Sequence, residues 1–103
     1  MMIDGLLRQM IDERASDLFI KAKQVPFMRV DGTIRPLGSE PISVDSAAQM
    51  AREIIGEGRW AAFEAEWECD TAYEAEEMGR FRVNAFKQTG KVSLSIRRIS
   101  NTC

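Results

Sequence analysis

Histidine is absent from the 103-residue sequence, and cysteine occurs only twice, as Cys69 and Cys103. Without histidine the usual zinc-ligand sets and Cys-His nucleophile pairs cannot be assembled, and two cysteines are too few for a disulfide framework. We therefore expect both thiols to be bystanders and no metal site in this chain. No apolar run approaches the roughly 18 residues that a membrane-spanning helix needs. The amino terminus lacks the basic-then-apolar layout of a signal peptide, which predicts a cytoplasmic location.

A surplus of basic residues is also missing, because 14 lysines and arginines face 16 acidic residues, for a net charge of -2 and a pI near 5.2. Binding along a nucleic-acid backbone needs a clear basic surplus, so this composition argues against a dedicated nucleic-acid binder. With 45% hydrophobic and 29% charged residues, the chain has an ordinary globular composition. Its length predicts one domain, large enough to bury a core.

Hydrophobic periodicity predicts three helices and six strands, in the order α-β-β-β-α-α-β-β-β. Apolar residues at helical spacing predict helices over residues 3–14, 44–55 and 59–67, with Ser43 capping the second helix. Short or alternating apolar runs between turn residues predict strands over residues 18–22, 27–30, 33–37 and 69–76, and two more within 79–99. Trp60, Phe63 and Trp67 would share one side of the third helix and anchor the core. Consecutive hairpins beside packed helices indicate an α+β domain with a largely antiparallel sheet.

The last predicted hairpin has a register that can be derived from its side-chain pattern. A two-residue turn at Thr89 and Gly90 sets Arg82 opposite Arg97. It also gathers four apolar residues on one face, namely Val83, Ala85, Leu94 and Ile96. A three-residue loop would mix polar and apolar side chains on both faces, which a half-buried sheet resists. Opposed like charges are destabilising unless an anion or carboxylate lies between them, so the register predicts a place for negative charge.

Two other patterns are better explained by structure than by chemistry. Thr89-Gly90-Lys91 could be mistaken for part of a phosphate-binding loop, but the upstream glycine is absent, Val92 stands where a hydroxyl is needed, and the segment lies in a hairpin. The acidic residues between positions 64 and 77 have no fixed short spacing, which is typical of a solvated face rather than of catalytic carboxylates or metal ligands. We predict no catalytic residue in this chain and no strong binding of ATP by it alone.

Two interpretations of the arginines near the open end of the hairpin stay open. In the first, Arg80, Arg82, Arg97 and Arg98 pair with the nearby acidic residues and have no further role. In the second, Arg82 and Arg97 contact a phosphate presented by another domain, with Arg80 and Arg98 in support. A guanidinium group is a planar fork of donors that suits bidentate phosphate contacts, and arginine fingers act in trans in this way.

Three ordered blocks of sequence resemble a known family. The first is ASDLFI at residues 15–20 and the second is PFMRVDGTIRPL at residues 26–37. The third lies towards the end of the chain and contains ECDTAYE, GRFRVNAF and SIRRIS. In this order they are similar to the amino-terminal domain of the type IV pilus retraction ATPases, the PilT/PilU twitching-motility family of the type II/IV secretion ATPase superfamily. The likeness extends over about residues 3–100. Phe19 stands where the retraction ATPases more often have histidine, which is closer to the PilU branch.

The resemblance implies a PAS-like amino-terminal domain over residues 1–99, the start of an interdomain linker at residues 100–103, and a RecA-like ATPase domain beyond this chain. In that family the full-length motor is a homohexamer that hydrolyses ATP with Mg, on the cytoplasmic side of the inner membrane, to power pilus retraction against an inner-membrane platform. The amino-terminal domain packs against the ATPase domain of a neighbouring subunit. By motif position, Arg82 in RFRVN and Arg97 in SIRRI would contact the nucleotide phosphates in trans. The chain alone would not be an enzyme.

Two other functions are also consistent with the residues. One is a stand-alone PAS-like sensor that binds a small ligand in a cavity lined by Trp60, Phe63 and their neighbours. The other is a structural oligomerisation module, in which the arginines only bridge to acidic residues of the next subunit.

Overall fold

Helices and strands follow one another in the predicted order. The computed structural model describes residues 2–75 and 77–99. The elements are α1 (Met2–Asp12), β1 (Asp17–Lys21), β2 (Phe27–Val30), β3 (Thr33–Pro36), α2 (Val44–Ile55), α3 (Glu57–Glu66), β4 (Glu68–Ala75), β5 (Gly79–Gln88) and β6 (Lys91–Ile99). The predicted linker at 100–103, with Cys103, lies outside the described residues. No helix within the described ranges is long and apolar enough to cross a membrane.

The six strands of the described residues form one antiparallel sheet in the order β3-β2-β1-β6-β5-β4. The first and last strands are therefore neighbours at its centre. Together with the three helices, this confirms the predicted α+β, PAS-like domain.

The register predicted for the last hairpin is correct. Arg82 pairs with Arg97, and the strands are joined by Thr89 and Gly90 with φ values of 50° and 78°. Positive φ at both central residues marks the type I′ turn, whose twist matches that of the flanking strands. The Asp31-Gly32 turn between β2 and β3 has the same signature, with φ values of 50° and 79°.

One face of the sheet carries the core. The four apolar side chains predicted to share a face of the hairpin are all at most 1% exposed: Val83, Ala85, Leu94 and Ile96. Buried side chains of the helices join the same cluster, among them Leu7 of α1, Met50 of α2 and Phe63 of α3. Strand residues alternate between the two faces, so the residues of opposite parity lie on the other face of the sheet.

Caps and turns set the helix boundaries. Ser43 caps α2 as predicted, because its hydroxyl accepts a hydrogen bond from the backbone N–H of Ser46 at 3.0 Å. Helix α1 ends two residues earlier than predicted, and Arg14 beyond it has a φ of 59°. Gly56, with a φ of 87°, separates α2 from α3 and tolerates a conformation that side chains disfavour.

The prediction that both tryptophans anchor the core is wrong for Trp67. Trp60 is half-buried, and its ring packs 5.1 Å from that of Phe63. Trp67 instead caps the end of α3 in the left-handed conformation, with a φ of 66°, and is 59% exposed. Because the backbone has left the helix at this residue, its side chain no longer continues the apolar face of α3.

Candidate functional site

The sheet face opposite the core carries the candidate site, and we call it the open face. Its residues on β1, β5 and β6 include Phe19, Arg82, Asn84, Ser95 and Arg97, which alternate with the buried residues of the same strands. These side chains are half-buried or exposed. The open face is therefore a polar surface available to a ligand or partner.

Four charged residues stand side by side across the open face, and we call them the arginine row. Strand pairing places Arg29 beside Asp17, Asp17 beside Arg97, and Arg97 beside Arg82. The row therefore crosses β2, β1, β6 and β5. The carboxylate of Asp17 on β1 lies between the guanidinium groups of Arg29 and Arg97. It therefore supplies part of the negative charge that the hairpin register predicts beside the opposed arginines.

Asp17 is the centre of this row. It is only 6% exposed, although it carries a carboxylate. Arg97 Nε donates to its Oδ1 at 3.1 Å, and Arg29 Nη1 donates to its Oδ2 at 3.4 Å. The hydroxyl of Ser16 donates to the same Oδ2 at 2.7 Å. A buried carboxylate with three donors is satisfied, so Asp17 holds Arg97 and Arg29 in place.

The same contacts set the acidity of Asp17. Burial alone would raise the pKa of its carboxyl group, since it disfavours the charged form. Hydrogen bonds from Ser16 and Arg97, with the positive charges of Arg97 and Arg29, outweigh burial and lower the pKa below its ordinary value. Asp17 is therefore ionised throughout the physiological range.

Arg82 is held much more loosely than Arg97. Its Nη2 lies 3.6 Å from Oδ2 of Asp70 on β4, and both side chains are more than half exposed, at 69% and 59%. Exposed ion pairs of this kind contribute little free energy. The two opposed arginines are thus unequal, because Arg97 is tied to a buried carboxylate and Arg82 can leave Asp70 at small cost.

A hollow of about 320 Å³ opens beside the row. Its lining includes Arg29, Arg82 and Arg97, and the carboxylates Asp17 and Asp70. Three guanidinium groups against two carboxylates leave one positive charge on this wall. The hollow therefore has the electrostatic character of a site for an anionic group.

An aromatic surface adjoins these charges. The rings of Phe19 and Phe27 stack with centroids 4.9 Å apart, and the guanidinium carbon of Arg29 lies 5.6 Å from the Phe19 centroid. Phe19 also lines the hollow. A cation over a ring face is favourable, so Phe19 helps to hold Arg29 where Asp17 also binds it.

The other residues singled out in the sequence occupy different places. Arg80 shares the parity of Arg82 and pairs with Ile99, beyond the arginine row. Arg98 pairs with Phe81 and shares the parity of the core residues, so the structure does not bring it together with Arg82 and Arg97. The acidic residues of α3 and β4 that the structure describes are exposed. Of these described acidic residues, Asp70 is the one that lines the hollow, where it pairs with Arg82.

Sequence reasoning missed Asp17 and Arg29. It expected carboxylate partners only from the acidic residues at positions 64–77, whereas Arg97 is bound to a carboxylate 80 positions away. The available signal was Asp17 itself, a charged residue that opens the apolar segment LFI. Asp17 becomes a partner of Arg97 only because β1 lies beside β6, and no local sequence pattern predicts that strand pairing.

Comparisons with known proteins agree with this fold. No protein-family model matches the chain. It is 36% identical over 99 residues, or 96% of its length, to the type IV pilus ATPase PilU of Pseudomonas aeruginosa. It is 34% identical over 86 residues, or 84% of its length, to the type IV pilus retraction ATPase PilT of the same organism. The chain spans about a quarter of each relative, 26% of PilU and 25% of PilT.

Solved structures give the same relationship. The crystal structure of the pilus retraction motor PilT with bound ADP superposes with a TM-score of 0.84 and 27% identity, over 94% of this chain and 29% of that one. The ATPase DotB of Legionella pneumophila superposes with a TM-score of 0.80 over 95% of this chain and 29% of that one. At 24% identity, the DotB match bears on the fold alone.

Fold and sequence together define the chain as an amino-terminal domain of the type II/IV secretion ATPase class. Within that class it is homologous to the type IV pilus ATPases PilU and PilT. The family resemblance inferred from the sequence blocks is thereby confirmed.

Proposed function

We propose that this chain is the amino-terminal domain of a hexameric ATPase motor that powers type IV pilus retraction. Its open face would meet the RecA-like ATPase domain of a neighbouring subunit, on the cytoplasmic side of the inner membrane. The observation that carries the proposal is the pairing of Arg82 with Arg97 on the open face, beside a hollow with surplus positive charge. Homology to two pilus ATPases supports the class of motor.

Arg97 and Arg82 would contact the phosphate in different ways. Arg97 is already oriented by Asp17, so its remaining N–H donors can meet a phosphate group without first being ordered. Arg82 would exchange the exposed carboxylate of Asp70 for the incoming phosphate. Each guanidinium fork can donate two parallel hydrogen bonds to phosphate oxygens.

Such contacts would couple the nucleotide to the position of the domain. ATP with Mg, bound to the neighbouring ATPase domain, supplies the phosphoryl chemistry and the charge. Arg82 and Arg97 stabilise negative charge on its phosphate groups from across the subunit boundary, as arginine fingers do. Loss of the terminal phosphate would weaken these contacts, so the domain would move as a rigid body with the nucleotide state.

The test is made in the full-length protein that includes the ATPase domain. We expect Arg82→Ala and Arg97→Ala each to lower the ATPase turnover by at least about tenfold, a bound set below the roughly 10³- to 10⁵-fold that arginine fingers contribute. Arg35→Ala is the matched control, because this exposed arginine lies on β3 with the parity of buried Met28 and off the open face. Turnover within a factor of two of the parent for both finger variants would refute the proposal.

The assembly state separates this proposal from the oligomerisation alternative. Size-exclusion chromatography of the same variants should show hexamers, since a nucleotide contact is one part of a large interface. Unchanged hydrolysis per active assembly with loss of hexamers would instead favour a purely structural role. Nothing in the packing of Trp60 against Phe63 favours the small-molecule sensor.

A further inference from the structure

All four lysines of the chain lie at one end of the sheet. Lys21 ends β1, Lys23 follows it in the connection to β2, Lys87 lies near the end of β5, and Lys91 begins β6. Asp17 and Lys21 are the two ends of β1, so this lysine end is about 13 Å from the arginine row. This end of the sheet therefore carries a second group of cations, distinct from the arginines, and Lys21 and Lys91 of this group share the parity of the open face.

Three of these lysines surround a hollow of about 340 Å³, which we call the lysine hollow. Lys21, Lys23 and Lys91 line it together with the hydroxyl side chains of Thr89 and Ser93. Lys21 and Ser93 are direct partners across β1 and β6. Every side chain named here can donate a hydrogen bond, so the wall of the hollow is rich in donors.

Negative charge is missing from this wall. Among the residues that the structure describes, none that lines the hollow is aspartate or glutamate, and no carboxylate lies within ion-pair distance of the three lysines. The nearest acidic residue along the same row is Glu68 on β4, which is separated from Ser93 by Phe86. The contrast with the arginine row is sharp, since both opposed arginines there have a carboxylate partner.

Grouped ammonium charges repel one another, and the repulsion falls when an anion lies between them. The chain as a whole is acidic, with a net charge of -2, so its overall charge does not explain why every lysine lies in this corner. A cation–π contact also partly orders Lys21 before any ligand binds, because its Nζ lies 5.8 Å from the ring centroid of Phe27. Ammonium groups on flexible stems, backed by hydroxyl donors, suit the tetrahedral, doubly charged end of a phosphomonoester.

We propose that the lysine hollow binds a phosphomonoester, either on a free phosphorylated small molecule or on the headgroup of a lipid. Its volume is within the range of small-ligand pockets. The site is independent of the arginine row and of the contact proposed there, because the two groups of cations share no residue.

The experiment is a two-dimensional NMR titration of the 103-residue chain with inorganic phosphate, with chloride varied to keep the ionic strength constant. We expect the amide signals of Lys21, Thr89, Lys91 and Ser93 to shift in a saturable manner. Lys91→Gln should weaken the binding by about tenfold, as expected for loss of one charge-assisted contact. Lys87→Gln is the matched control, since Lys87 has the parity of buried Val83 and Ala85 and does not line the hollow.

A second arm separates the two sources of the phosphate group. Vesicles of phosphatidylcholine with phosphatidic acid present a phosphomonoester, whereas phosphatidylglycerol presents a phosphodiester. Sedimentation with the first and not the second, lost in Lys91→Gln, would assign the lipid headgroup. Shifts with inorganic phosphate but no sedimentation would assign a free phosphorylated molecule.

Two results would overturn the proposal. One is the absence of both saturable shifts and sedimentation. The other is an equal loss of binding in Lys87→Gln and Lys91→Gln, because that would mean general attraction to a basic corner rather than a built site. Circular dichroism of each variant establishes that the fold is retained, and Lys21→Gln provides a second lysine variant if Lys91→Gln unfolds.

Discussion

Asp17 should matter more to the stability of the domain than any exposed carboxylate on the sheet. Asp17→Asn keeps the size of the side chain but removes its charge and replaces one acceptor by an NH2 group. Truncating one partner of a buried ion pair costs about 3 to 5 kcal/mol, and one hydrogen bond to a charged group contributes about 1.5 to 3 kcal/mol. The side chains of Arg97 and Arg29 are 68% and 40% exposed, so water can solvate them after the change. We therefore expect a loss of about 2 kcal/mol in the free energy of unfolding.

Asp70→Asn is the matched control, because Asp70 also pairs with an arginine on the open face. The pair with Arg82 is long and exposed, so the control should lose about 0.5 kcal/mol or less. Urea unfolding followed by far-ultraviolet circular dichroism measures both losses on the same chain. Equal losses in the two variants would refute the view that burial of Asp17 makes its ion pairs important.

The pH dependence provides an independent check of the same reasoning. The pKa of Asp17 is lower in the folded chain than its ordinary value of 3.8, so the unfolded chain binds the proton more readily. The stability that the carboxylate supplies is present above about pH 4 and is lost as the pH falls through the lowered native value. The difference between the parent and Asp17→Asn should therefore be constant at about pH 5 to 7 and should close in stronger acid. A difference that persists unchanged in acid would contradict the assignment.

Two further predictions concern the helices. Ser43→Ala removes the cap of α2 and should lower the free energy of unfolding by about 1 kcal/mol, measured by urea unfolding; no change would mean that water replaces the cap fully. Tyr73 on β4 donates a hydrogen bond to Asp4 of α1 at 2.9 Å, and burial, with this bond and the nearby negative charge, raises its pKa to about 12. The unfolded chain therefore loses the phenol proton first, and stability should fall as the pH rises from about 10 to about 12. Tyr73→Phe should flatten that fall, and an unchanged slope in this variant would exclude Tyr73 as its cause.

Local physical patterns were sufficient to predict most of the fold. The period-two alternation of the hairpin places Val83 and Ile96 on one face, and the two-residue turn at Thr89 and Gly90 fixes the register that sets Arg82 against Arg97. The Ser43 cap could also be predicted from the sequence, because helix capping depends on a few adjacent residues.

The remaining features depend on contacts between distant parts of the chain or on one backbone conformation. Nothing near Asp17 in the sequence shows that β1 lies next to β6, so the buried carboxylate beside Arg97 could not be predicted. Trp67 continues the apolar pattern of α3, but one left-handed residue at the helix end carries its side chain into solvent. Which carboxylates pair with which arginines is thus a property of the topology rather than of charge spacing.

The central position of β6 has a consequence for how the chain acquires its structure. Strand β6 lies between β1 and β5, so without it the sheet is divided into a three-stranded ribbon and a two-stranded ribbon. During synthesis the last strand emerges from the ribosome after all the others, and until then β1 and β5 each present an unpaired edge. Contacts spanning some 80 positions are slow to form, because a long loop must close before they can stabilise the structure. We expect folding to be limited by the docking of β6, and we expect chains interrupted before Lys91 to associate through their exposed edges.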